Sequence, residues 1–137
     1  MFNSSPVVLP TVTRRLFAVK DVPQFEPYFP WQGTVLCKDT FRGVLAIGQR
    51  DPNFQAAVGI EVALTNPDTD ASAPVRPTDT SNAFKTATGR YLIAFDPNGS
   101  TNGNIGTFMW WRIGIIYQAT ATNSAVGGDV SLTPSFR

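Results

Sequence analysis

The chain has 137 residues, of which 42% are hydrophobic, 12% aromatic and only 15% charged, with a formal net charge of +1. That length gives one domain able to bury a core unaided, and so small a charge creates no global field toward nucleic acid or an anionic membrane. The absence of histidine and the single cysteine, Cys37, exclude imidazole catalysis, histidine metal ligation, an internal disulfide and a cysteine-based zinc site.

Residues 1–10 read as an extended arm, with Pro6 and Pro10 bracketing Val-Val-Leu. They lack the basic start and continuous apolar core of a secretory signal. Thr11 to Val19 is a first strand, with Phe17 and Val19 on one face. It carries Arg14-Arg15, the only adjacent basic pair in the chain. Two arginines neutralise too few phosphates for more than a minor nucleic-acid contact. Residues 22–31 interleave three prolines with Phe25, Tyr28, Phe29 and Trp31. Proline cannot donate to a ladder, so helix and central strand are excluded and polyproline-like or edge geometry remains. The segment either seals one end of its own sandwich or lays aromatic anchors into a neighbouring subunit.

Gly33 to Asp39 and Gly43 to Gln49 are short strands, the first holding Cys37 as a buried thiol. Arg50-Asp51-Pro52-Asn53 is a turn. Ala56 to Thr65 alternates, with Ala56, Val58, Ile60, Val62 and Leu64 on one face and Glu61 as the exposed marker of the other. Asn66 to Asn82 is a long Pro/Asp/Thr/Ser loop. Gly89 to Asp96 is a strand with Tyr91, Ile93 and Phe95 coreward, and Pro97 to Asn104 is a turn-rich linker.

Gly106 to Ala119 organises the rest. Its odd positions, Met109, Trp111, Ile113, Ile115 and Tyr117, form an unbroken apolar row. Its even positions, Phe108, Trp110, Arg112, Gly114, Ile116 and Gln118, form a mixed one. Period-two alternation with β-branched and aromatic side chains defines a strand with one core face and one amphipathic face. The second face is too apolar for plain solvent, so a sheet, subunit or ligand covers part of it. Thr120 to Gly128 reads as a small-residue loop, and Val130, Leu132, Pro134 and Phe136 as packed positions of a last strand or tail.

No helix is signalled and no run approaches the roughly 20 apolar residues of a membrane helix. Seven or eight short strands with turns every ten or so residues predict an all-β fold, an antiparallel β-sandwich of Greek-key or jelly-roll type, in a single domain over 1–137.

Catalytic chemistry is thin. Two carboxylates across a cleft can hydrolyse a glycoside, but among the acids only Glu61 lies mid-strand. Asp96-x-Asn98-x-Ser100-x-Asn102 spaces oxygen ligands like a calcium loop, yet Thr101 and Thr107 stand where glycine and a bidentate glutamate belong. No metal, cofactor or catalytic residue is therefore expected, and the chain reads as non-enzymatic. Asn3 and Asn98 open chance Asn-x-Ser matches. Phe108 and Trp110 beside Arg112 make either a stacking platform for a glycan or base, a face buried on a second subunit, or a surface covered by the proline-rich segment.

From Tyr91 to Tyr117 an apolar strand, a polar Gly/Ser/Thr/Asn turn, Ile105-Gly106-Thr107 and a long aromatic strand follow one another. This order of residue types resembles the last two strands of jelly-roll coat proteins of small icosahedral RNA viruses, whose relatives also carry protruding β-sandwich domains. The long basic arm usual in such coats is missing, with only Arg14 and Arg15 near the start, and the chain is short for a full shell subunit. The resemblance therefore implies a coat, protruding or decoration subunit in the virion, associating with its own copies or other capsid subunits. Phe25, Tyr28, Trp31, Phe108, Trp110 and Arg112 are the expected interface residues.

Overall fold

The computed structural model describes residues 7–20, 22–33, 41–70, 84–95, 110–120 and 125–136. Their strands are β1 (Val7–Val8), β2 (Val12–Ala18), β3 (Gln24–Pro27), β4 (Gln32–Gly33), β5 (Phe41–Arg50), β6 (Phe54–Ala63), β7 (Gly89–Phe95), β8 (Trp110–Ala119) and β9 (Val126–Phe136). All ladders between them are antiparallel. The described residues contain no helix, so the expected all-β sandwich is the observed class.

In the first sheet β9 is central, flanked by β5 on one side and by β1 and β2 on the other, with β7 beyond β5. In the second, β8 is central: β6 pairs along its whole length, while β3 and β4 share its other edge. Among the described strands no two sheet neighbours are consecutive in sequence, as crossing connections of a jelly-roll require. Pro27, which has no N–H to give a second partner, lies in the edge strand β3.

The core forms where the inner rows meet. The odd row of β8, Trp111, Ile113 and Ile115, is fully buried. It packs with Phe54, Ala56, Val58, Ile60 and Val62 of β6, and with Leu45, Ile47, Val130 and Leu132 from the first sheet. Burial of each large side chain contributes roughly 1.5–3 kcal/mol before entropy is counted. The even positions Val130, Leu132 and Pro134 of β9 face inward as expected.

Phe17 and Val19 are exposed together on the outer side while Leu16 and Ala18 face the core; Phe17 is 60% exposed and its ring lies 5.8 Å from the Arg15 guanidinium. Two expectations are corrected. Leu64 is exposed, because β6 ends at Ala63 and the chain turns away at Leu64. Gly127 and Gly128 belong to β9, not to a loop. A Cβ at 128 would lie 2.5 Å from Phe54 Cδ1 and one at 127 would lie 2.7 Å from Arg15 Nη2. These glycines are thus strand residues with a ring and a guanidinium in the place of their own side chains. The Asp51-Pro52-Asn53 turn is present: Asn53 has φ 72°, which asparagine tolerates, and the Asp51 carboxylate accepts from Gly127 N–H at 2.8 Å. Residues 1–6 of the arm, Cys37, the 71–82 part of the long loop, the calcium-like segment from Asp96, Phe108 and Met109 lie outside the described residues.

Tyr28 is a core residue, with its hydroxyl donating to the Val130 carbonyl at 2.9 Å. Burial pushes its phenol far above the ordinary value of 10.0; Arg14 opposes this and Glu26 and Tyr117 add to it. Tyr117 moves the same way, by burial and then by Glu26. A raised acid leaves stability intact below the unfolded pKa and removes it above, because only the unfolded chain ionises there. The urea midpoint should therefore fall as pH rises past about 10. Tyr28→Phe should cost about 1 kcal/mol at neutral pH through the lost hydrogen bond and flatten the alkaline decline. An equally steep decline in that variant would assign the effect elsewhere.

Candidate functional site

The even row of β8 points away from the core, and the ladder to β6 sets what stands beside it. Trp110 is opposite Ala63, Arg112 opposite Glu61, Gly114 opposite Gly59, and Ile116 opposite Ala57. The small residues of β6 let larger neighbours fold over them. A Cβ at Gly59 would lie 2.5 Å from Ile116 Cγ1 and 3.0 Å from Phe25 Cε2. All ten residues of β6 are buried in consequence, on the outer face as well as the inner.

Glu61 is part of that burial. Expected as a solvent marker, it is only 6% exposed, and it accepts a hydrogen bond from Arg112 Nε at 2.7 Å. Directly opposed residues on antiparallel strands bring their side chains within reach of each other, which is the physical reason for the correction. The Arg112 guanidinium carbon lies 4.7 Å from the Trp31 ring centroid and 6.0 Å from that of Phe25. Two cation–π contacts and a carboxylate thus fix one planar cation on an outer sheet face.

Of the residues singled out in the sequence, Phe25, Trp31 and Arg112 come together here, and Trp110 follows on the same face of β8. Tyr28 does not join them, being turned into the core. Glu61 belongs to the cluster, although the sequence does not place it among the interface residues. A signal for it exists: Glu61 and Arg112 are mid-strand charges of opposite sign in two otherwise uncharged strands, and such charges seek each other when the strands pair. Arg14 is bonded to Glu26 at 2.7 Å and to the Pro27 carbonyl at 2.9 Å, and Arg15 to Asp129 at 3.2 Å and the Gln49 carbonyl at 3.1 Å. Both cations therefore serve contacts within the sandwich. No group of three or more His, Cys, Asp or Glu side chains placed to hold a metal occurs among the described residues.

This surface offers flat aromatic area and a guanidinium whose charge is already balanced. Aromatic residues and arginine with little net charge are the composition of interface centres. The architecture beneath it is an antiparallel sandwich. No protein-family model and no curated protein matches the chain. Its fold recurs in solved structures of infectious bursal disease virus. The Gx strain structure aligns at TM-score 0.50 and 10% identity, over 96% of this chain and 33% of that one. The Gt strain structure aligns at TM-score 0.52 and 11% identity, over 96% and 33%. The chain thus spans about a third of the length of the solved chains it matches. Of the stretch from Tyr91 to Tyr117 likened to two final strands, β7 and β8 are present but are not the last strands, since β9 follows and occupies the centre of the first sheet.

Proposed function

We propose that the protein is a non-enzymatic structural subunit of a virus or phage particle, located in the virion as a coat, protruding or decoration component. It acts by burying the outer face of the second sheet against copies of itself or other capsid subunits. The observation that carries this reading is the Phe25–Trp31–Arg112–Glu61 cluster, fixed on the outward face of a sandwich whose fold recurs in virus structures. Trp110 extends the same face. Contact with nucleic acid is at most minor, since Arg14 and Arg15 are engaged by Glu26 and Asp129.

Trp31→Ala and Trp110→Ala test it. Both rings are partly exposed, so each truncation should weaken association seen by light scattering at least about tenfold and lower the urea stability of the isolated subunit by no more than about 1 kcal/mol. Loss of folding with association would make these rings core residues and reject the assignment of the face.

A further inference from the structure

Two further surfaces, one on the first sheet and one at the corner after β6, carry apolar side chains beside charges of opposite sign that have no partner among the described residues. Leu92 is 89% exposed on the outer face of β7. The register places Val44 beside it, with Arg42 opposite Ala94 one row away and Arg90 opposite Ala46 one row to the other side. Arg42 and Arg90 are exposed, and neither guanidinium has a partner among the described residues.

The second surface follows β6. Leu64 is 70% exposed, and the corner after it is fixed by bonds from Thr69 N–H and Asp70 N–H to the Asn66 carbonyl at 3.0 and 2.9 Å, and from Asp68 N–H to Asn66 Oδ1 at 3.0 Å. Asp68 is exposed and its carboxylate has no partner among the described residues. The other described acids are committed: Glu26 to Arg14, Glu61 to Arg112, Asp129 to Arg15, Asp51 to the Gly127 amide, and Asp70 to an interaction of its own. Leu64 and Leu92 are also the two most exposed large hydrophobic residues described.

We propose that the Arg42–Leu92–Arg90 surface of one copy docks on the Leu64–Asp68 corner of the next. Each leucine buries against the other's surroundings, and the carboxylate is held by one or both arginines. Charge complementarity selects the partner and the register. Because the two surfaces share no residue, the contact is heterologous and can close into rings or shells. The inference rests on the self-association proposed above but uses different residues.

The test compares association constants, from light scattering over a concentration series, for wild type, Asp68→Arg, the Arg42→Asp/Arg90→Asp double variant, and an equimolar mixture of the two variants. All substitutions are at exposed positions without described side-chain partners, so each variant should fold, as circular dichroism would verify. Each variant alone juxtaposes like charges and should associate at least about tenfold more weakly. In the mixture the introduced arginine of one variant meets the introduced aspartates of the other. The native Asp68 of the double variant likewise meets the native Arg42 and Arg90 of the single variant, so the mixture should regain wild-type strength. Variants that associate like wild type, or a mixture as weak as its components, would overturn this contact alone. A wild-type chain that stays monomeric would overturn both it and the self-association reading.

Discussion

Gly114→Ala should destabilise the protein by about 3 kcal/mol or more, the upper range for forcing atoms into a packed site. A methyl group at 114 would overlap the Glu26 carbonyl oxygen and lie 2.8 Å from Pro27 Cα. Both obstacles are backbone, so no side-chain rotation relieves the clash. Strand β3 would have to lift from β8, breaking the pairing of Pro27 with Gly114 and straining the bond from Tyr28 N–H to the Ile113 carbonyl at 3.0 Å. The damage should reach the outer face, because β3 carries Phe25 to Arg112. Gly33→Ala is the control: nothing lies within 4 Å of its added Cβ, and its effect should stay within about 0.5 kcal/mol. Urea unfolding followed by tryptophan fluorescence separates the two, and near-equal midpoints would show that β3 does not pass over Gly114 as described.

Arg112→Leu should cost about 3 kcal/mol, because it strips the guanidinium from a carboxylate that is 6% exposed. Removing one partner of a buried pair leaves an uncompensated charge, whereas replacing both with apolar groups of similar size is often neutral. Arg112 keeps 27% of its side chain exposed, so the cost belongs at the lower end of the usual range of about 3–5 kcal/mol. Glu61→Leu combined with Arg112→Leu should recover most of the loss. The double-mutant cycle therefore gives a clear sign: the double variant is more stable than Arg112→Leu alone. A double variant whose loss is the sum of the single losses would mean the pair is not coupled.

The parts of this fold legible in the sequence are those where one side-chain period decides the outcome. The odd row of β8 and the even positions of β9 face the core because a pleated strand has only two faces and one of these is wholly apolar. Glu61 misleads because a mid-strand charge suggests water, whereas its outward direction is right and the strand opposite supplies an arginine. Gly127 and Gly128 resemble a loop by composition; only the positions of Phe54 and Arg15, distant in sequence, reveal why a strand needs glycine there. In β2 both rows carry apolar side chains, Leu16 and Ala18 on one and Phe17 on the other, and pairing with β9 decides that the first faces the core. At the outer face the sequence puts Trp110 and Arg112 on one row of β8. It does not show that Trp31 and Phe25 cross an edge strand to reach Arg112, nor that Tyr28, in the same proline-rich segment, turns the opposite way.

Association through the outer face of the second sheet is what this sandwich is proposed to do. The most direct test is the absolute mass of the purified protein by size-exclusion chromatography with light scattering, followed by negative-stain imaging of the main peak. The expected result is a defined oligomer or particle at micromolar concentration that Trp31→Ala shifts toward smaller species. A wild-type mass of 14.9 kDa at every concentration, with no particles in the images, would contradict it.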